Sequence, residues 1–361
     1  MSFILGNDIV HSYKERDKNL GGDDQVKTIE HRDLLKLSEE YEEHFLIGAA
    51  VNTKTLISHQ QLLKQHFNSI TAENEMKFER LQPIEGQFQF EAADRMLEFA
   101  KQNNMGVRGH TLVWHNQTPA WIFEQRSGGI VDRATLLERM KTHIDTVVTR
   151  YKGNIYAWDV VNEAISDSGN ELLRSSKWLD IAGEQFIAKA FEYAHAADPS
   201  ALLFYNDYNE SDAVKREKIY RLVKSLKEKD IPIHGIGMQS HWNLDHPAID
   251  DIRRSIEQYA SLGVTLDITE MDLSMFHFDD RRTDCSAPTE AMLEKQAERY
   301  DQIFKVFREY SKHITSVTFW GAADDYTWLD HFPVQNRKNW PFLFDALHQP
   351  KQSFWNIINN K

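Results

Sequence analysis

The sequence predicts an α/β fold, a (β/α)8 TIM barrel in a single domain. Three observations predict it. Eight short apolar runs alternate in order with eight longer amphipathic ones, the pattern of parallel strands returned by helices. Most of the runs begin apolar and end polar, as strands do when their C-terminal ends share one functional face. The 361 residues include only 9 Pro and 16 Gly, with no Pro- or Gly-rich linker at which to divide the chain. An open doubly wound sheet is the structural alternative, but eight successive units without a Gly-rich phosphate turn favour closure.

The elements follow in order. FLIGAAVN (45–52) is the first strand, with a helix near 58–67, and SITAEN (69–74) is the second, with helix 91–104. GVRGHTLVWH (106–115) precedes a helix over 133–151, and IYAWDVVNEA (155–164) precedes one over 178–197. ALLFYNDYN (201–209) pairs with helix 212–229, and GIGMQSHW (235–242) with helix 248–261. VTLDITEMD (264–272) pairs with helix 290–311, and ITSVTFWG (314–321) with a final helix near the C-terminus. Residues 1–44 are expected to form an N-terminal segment packed on a barrel spanning 45–361. The stretch FHFDDRRTDCSAPTE (276–290) fits no unit.

Composition bounds the function. Hydrophobic residues make up 41% and charged ones 27%, a globular profile. Forty-two basic against 55 acidic side chains leave a net charge of −13, which argues against nucleic-acid and anionic-membrane partners and suits a neutral one. No apolar run approaches the roughly 20 residues of a membrane helix. The start, MSFILGNDIVHSYKERDKN, has four consecutive apolar-type residues and no basic region before them, so no secretory signal is expected. Cys285 is the only cysteine; an intramolecular disulfide is impossible and a cytoplasmic, reducing location is expected. Nothing indicates an oligomeric state.

The polar strand ends carry the chemistry: TAEN, HTLVWHN, WDVVNE, YNDYN, MQSHW, ITEMD and FWGAADD. In WDVVNEA (158–164) an apolar, β-branched run finishes in Asn162 and Glu163. An unpaired carboxylate is costly to bury, so Glu163 belongs at the surface or is held for chemistry; seven polar ends on one face place it at a cleft. In ITEMD (268–272) Glu270 ends the seventh strand, with Asp272 two residues on, along the same side of an extended chain. The fourth and seventh strands lie three apart around the ring, so their ends face each other across the barrel mouth. Two glutamates across an aromatic-lined cleft suit glycoside hydrolysis, which needs an acid and a nucleophile or base. Either glutamate alone could equally be a salt-bridge partner or helix cap.

Six stretches in order, each at a strand end, extend the pattern: TAENEMKFE (71–79), HTLVWHNQTP (110–119), WDVVNEA, GIGMQSHW, ITEMD and TFWG (318–321). From about Phe45 onward the chain resembles glycoside hydrolase family 10, the endo-β-1,4-xylanases. The resemblance implies a retaining double displacement with Glu163 as acid/base and Glu270 as nucleophile. Glu163 must then hold a proton near neutral pH, which an ionised neighbour favours, and Glu270 must be ionised. The resemblance further implies that His241 touches the nucleophile and is held by Asp272, and that Asn162 bonds the sugar 2-hydroxyl beside the scissile bond. Gln239 shares a strand face with His241. The plain alternative for His241 is a core histidine satisfied by backbone.

Glu73, Asn74 and Lys77 match positions that bind sugar hydroxyls on the non-reducing side; His110, Trp114 and Gln117 match positions around the sugar at the cleavage point. Trp320 and Trp328 match the aromatics over that sugar and its neighbour, where an indole offers a flat apolar face and clashes with a 6-hydroxymethyl group, favouring xylose. Taken singly, Lys77 reads as a solvated lysine and any Trp as core; Trp178, Trp242 and Trp340 are left as core or unassigned. Tyr208 is a further cleft residue with less support. No cofactor or metal is implied. A metal-dependent hydrolase is disfavoured, because the 16 histidines include no HxH or HExxH pair. The remaining alternative is a non-catalytic carbohydrate-binding barrel. With no secretory signal, the expected partners are short xylan-derived oligosaccharides met in the cytoplasm.

Overall fold

The alternation closes on itself in the computed structural model, which describes residues 35–359. Of the expected N-terminal segment, residues 1–34 lie outside that range. Just before the first strand, Leu37 and Tyr41 are fully buried, and the Tyr41 hydroxyl donates to the Ile357 carbonyl in the last helix at 2.6 Å.

The strands are β1 (Leu46–Val51), β2 (Ser69–Ala72), β3 (Gly106–Trp114), β4 (Ala157–Asn162), β5 (Leu202–Asp207), β6 (Gly235–Met238), β7 (His241–Asn243), β8 (Thr265–Ser274) and β9 (Ile314–Phe319). They pair in parallel in the order β6-β5-β4-β3-β2-β1-β9-β8, and a β6–β8 pairing closes the ring. The three-residue β7 pairs with β8 above the ring and makes a ninth strand. Its origin is local. GIGMQSHW is interrupted by Ser240 in the left-handed region (φ 61°), so one expected strand becomes two, and His241 is turned across to Asp272, its register partner.

Three of the long helices start where short polar side chains accept otherwise unpaired backbone N–H groups. Asp132 caps helix Arg133–Arg150 through Thr135 N, Asp212 caps Ala213–Glu228 through Val214 N and Lys215 N, and Thr289 caps Glu290–Glu309 through Met292 N. The single helix expected over 178–197 is two, Lys177–Ala182 and Gln185–Ala197, because Gly183 leaves the first with φ 66°.

Register sets the level of the polar ends. Trp114 pairs with Asn162, and Asn162 with Asn206, so these side chains sit on one rung at the top of β3, β4 and β5. Below that rung the barrel interior holds a buried ionic cluster. Arg108 donates to Asp159 at 2.5 Å and to Asp267 at 2.6 Å, with its guanidinium 4.4 Å from the Phe204 ring centroid. Burial alone would favour the neutral guanidine, but the two carboxylates outweigh it and keep Arg108 cationic. Among the described residues, no helix is long and apolar enough to cross a membrane.

Candidate active site

The β4 strand ends by turning sharply. Glu163 sits at φ 57° with its N–H on the Asn206 carbonyl at 2.9 Å, and this swings its side chain out over the barrel mouth. A non-glycine residue held there costs about 1–3 kcal/mol, strain that structures retain where geometry matters. Three donors fix the Glu163 carboxylate: Trp114 Nε1 to Oε2 at 2.8 Å, Gln239 Nε2 to Oε1 at 3.0 Å and Asn162 Nδ2 to Oε1 at 3.2 Å.

Glu270 stands in a different field. His241 Nε2 lies 3.2 Å from its Oε2, Asn206 Nδ2 donates to its Oε1 at 2.8 Å, and His110 Nδ1 is 3.9 Å from Oε1. Burial pushes this carboxyl up, but the charge on His110 and the hydrogen bond and charge of His241 outweigh it and hold Glu270 below the usual glutamate range. His241 is itself clamped, with Nδ1 2.9 Å from Asp272 Oδ2, the same oxygen that accepts from Trp328 Nε1 at 2.8 Å. Burial would lower this imidazole; Asp272 first, then Glu270, raises it to about 10, so it is an imidazolium at neutral pH. The reading of His241 as a core histidine satisfied by backbone does not hold, because both of its ring nitrogens face carboxylates.

An amide relay joins the two glutamates. Asn206 Nδ2 donates to both Glu270 and Asn162 Oδ1 (2.9 Å), Gln239 Nε2 reaches Asn162 Oδ1 at 3.2 Å, and Thr269 Oγ1 donates to Asn206 Oδ1 at 2.6 Å. Gly237 makes the relay possible, since a Cβ there would overlap the Asn206 side-chain oxygen. Sequence reasoning missed Asn206, Thr269 and the Arg108–Asp159 support. Asn206 was in view within the polar strand end YNDYN, on the rung of Asn162; Arg108 and Asp159 point into the barrel, where strand alternation alone suggests apolar side chains.

The other expected residues fall into two groups. Lys77 donates to Gln117 Oε1 at 2.9 Å and Asn74 Oδ1 at 3.2 Å, with its ammonium 4.9 Å from the Trp114 ring; Glu73 accepts from Asn52 at 2.7 Å. Lys77 is buried rather than solvated, and desolvation lowers its pKa despite the opposing charges of Glu270 and Glu73. Trp320 meets His110 edge-on at 5.2 Å, and Trp328 lies 4.9 Å from His241. Tyr208 stands apart from both glutamates: its hydroxyl bonds Asp167 at 2.5 Å and accepts from Arg174 at 2.7 Å, and Arg174 in turn donates to the Glu163 carbonyl at 3.1 Å. Trp178 and Trp242 are buried as core side chains, and Trp340 is partly buried.

The sequence profile of glycosyl hydrolase family 10 matches residues 36–360. An endo-1,4-beta-xylanase of Geobacillus stearothermophilus is 62% identical over 323 residues, covering 90% of this chain and 98% of the relative. Endo-1,4-beta-xylanase B of Paenibacillus barcinonensis is 59% identical, with 90% and 98% covered. Among solved structures, xylanase XynB of Paenibacillus barcinonensis, complexed with a conduramine derivative, superposes with a TM-score of 0.89 at 58% identity, covering 90% of this chain and 98% of that one. A mutant structure in complex with xylotriose superposes with a TM-score of 0.89 at 50% identity, covering 90% and 100%. A closed parallel barrel, two glutamates joined through one relay and a family profile that spans the barrel from end to end lead to one conclusion: the chain belongs to glycosyl hydrolase family 10.

Proposed function

We propose that this glycoside hydrolase cleaves the β-1,4 bonds of xylan-derived chains by retaining double displacement. The observation that carries the reading is the unequal environment of the two glutamates. Glu270, set between the His241 imidazolium and His110, is held ionised to attack the anomeric carbon. Glu163, aimed across the mouth by its turned backbone, gives its proton to the departing glycosidic oxygen. The bond from the anomeric carbon to that oxygen breaks as the bond to Glu270 forms. In the second half Glu163, now a carboxylate, takes a proton from water, which attacks the glycosyl-enzyme and releases Glu270.

Asn162, anchored by Asn206 and Gln239, bonds the sugar 2-hydroxyl, a contact that strengthens as the oxocarbenium-like transition state develops. Asp272 holds His241 in place. Glu73, Asn74, Lys77, His110, Trp114 and Gln117 hold hydroxyls on the non-reducing side and at the cut, while Trp320 and Trp328 cover the rings there and Tyr208 lines the wall beyond. The relatives' xylanase names and the xylotriose complex support xylose chains as substrate. The natural substrates in this reading are short xylo-oligosaccharides met in the cytoplasm.

The test is a pair of variants. Glu270→Ala abolishes turnover on all xylosides. Glu163→Ala keeps the first step on aryl xylosides with good leaving groups, and azide restores turnover, because a small anion attacks without a general base. Equal losses in both variants, with no azide rescue, would overturn the roles.

A further inference from the structure

Away from the two glutamates, three segments distant in sequence bring a histidine–aspartate–histidine cluster together. We propose that His59, Asp325 and His348 bind one divalent transition-metal ion of the zinc class, as a tie between segments and not as a participant in hydrolysis. His59 sits between helices Thr55–Ser58 and Gln60–His66 and is 1% exposed. Asp325 lies in the loop after β9, and His348 in the turn before helix Gln352–Asn359.

Both imidazoles turn Nε2 toward the same carboxylate, His59 at 3.0 Å and His348 at 3.4 Å, and the three ligand atoms lie within 4.8 Å of one another. Zinc bonds of about 2.0–2.1 Å in a tetrahedron set neighbouring ligand atoms roughly 3.3 Å apart, so both nitrogen–oxygen pairs already have the required spacing. The rings meet edge to face at 4.6 Å and 87°, which aims the two nitrogens inward without a clash. Two imidazoles and one carboxylate form a donor set that zinc accepts, with a fourth place for water. The side chains of Asp325 and His348, 33% and 30% exposed, leave an entry path and room to close the wider nitrogen–nitrogen gap.

The turn that presents His348 is held by its own hydrogen bonds. His348 is left-handed at φ 62°, its N–H bonds the Asp345 carbonyl at 3.0 Å, and the Asp345 carboxylate accepts from Leu347 N and Gln349 N at 2.8 and 2.9 Å. A metal at Asp325 ties the loop carrying Tyr326 and Trp328 to His59, in the helical segment that follows β1.

The experiment strips the full-length chain with EDTA, titrates it with Zn2+ by calorimetry at pH 7.5, and repeats it with Co2+, whose visible absorption reports tetrahedral nitrogen and oxygen ligation. One site per chain of micromolar or tighter affinity and a raised Tm are expected. His348→Ala and Asp325→Asn each abolish that site while turnover of xylotriose without metal stays at the wild-type rate. No saturable uptake, or uptake that survives in both variants, overturns the proposal and leaves the cluster as a hydrogen-bonded strut.

Discussion

Replacing His241 by Asn removes a cation from beside Glu270 while keeping a hydrogen-bonding side chain, and the consequence can be worked out from the geometry. At 3.2 Å, two unit charges in a medium of effective dielectric about 20 interact by about 5 kcal/mol, an upper bound because Asp272 shares the imidazolium. Linkage gives the direction. His241 rises from 6.5 to about 10, the net of a burial penalty and two nearby carboxylates. Asp272 is the larger cause of that rise and Glu270 the smaller, and by reciprocity the His241 cation lowers Glu270.

The sign follows from the directions. A depressed carboxylate is ionised above its lowered pKa and loses that form as pH falls through it; the raised imidazole stays charged until pH climbs through about 10. His241→Asn therefore moves the acid limb of kcat/KM upward, within the bound set by that Coulombic energy, and the Asp272 charge, left with Trp328 as its donor, adds to the rise. The assay is the pH profile of kcat/KM on an aryl β-xyloside from pH 3 to 9. An acid limb that stays in place while the plateau falls refutes the claim that His241 keeps Glu270 ionised and leaves it a positioning role only.

Three further outcomes are expected. Proton NMR of the first product should show the β-anomer before mutarotation, because retention places the carboxyls about 5–5.5 Å apart and inversion roughly 6.5–9.5 Å; an initial α-anomer rules out double displacement. Arg108→Met should cost about 3–5 kcal/mol in urea unfolding, since it strands Asp159 and Asp267 without their counter-ion, and a loss below about 1 kcal/mol would show the cluster to be solvated. Catalytic efficiency should plateau at short xylo-oligosaccharide lengths and cell fractionation should find the protein in the cytoplasm; efficiency that climbs through long oligomers, or a mainly extracellular protein, removes that role and leaves the hydrolysis intact.

The barrel was legible because its strands announce themselves by apolar runs with polar ends, a pattern set by the closed sheet itself. Glu163 and Glu270 were legible for the same reason: each is a carboxylate that an apolar strand has no packing reason to carry. The breaks were not legible. Ser240 and Gly183 act through backbone dihedrals, and a serine between Gln239 and His241 gives no hint of the left-handed turn that splits a strand in two. Asn206 and Thr269 work by register across strands, and register is a property of pairs that no single stretch displays. The His59–Asp325–His348 cluster joins positions 266 and 23 residues apart. Neither spacing matches a local motif, so only folding brings them together.

The Asn206 amide has a consequence for anyone who would redesign this cleft. One planar group fixes an oxygen of Glu270 and the oxygen of Asn162, which itself steadies Glu163, and Thr269 locks which way that group faces. The positions of Glu163 and Glu270 are therefore one shared variable. Substitutions at 162, 206, 239 and 269 should show strong epistasis: the first change does most of the damage, later ones add little, and a second-site suppressor is to be sought within the same four. Libraries that vary these positions one at a time will find each intolerant, and the tolerated combinations will be reached only by varying them together.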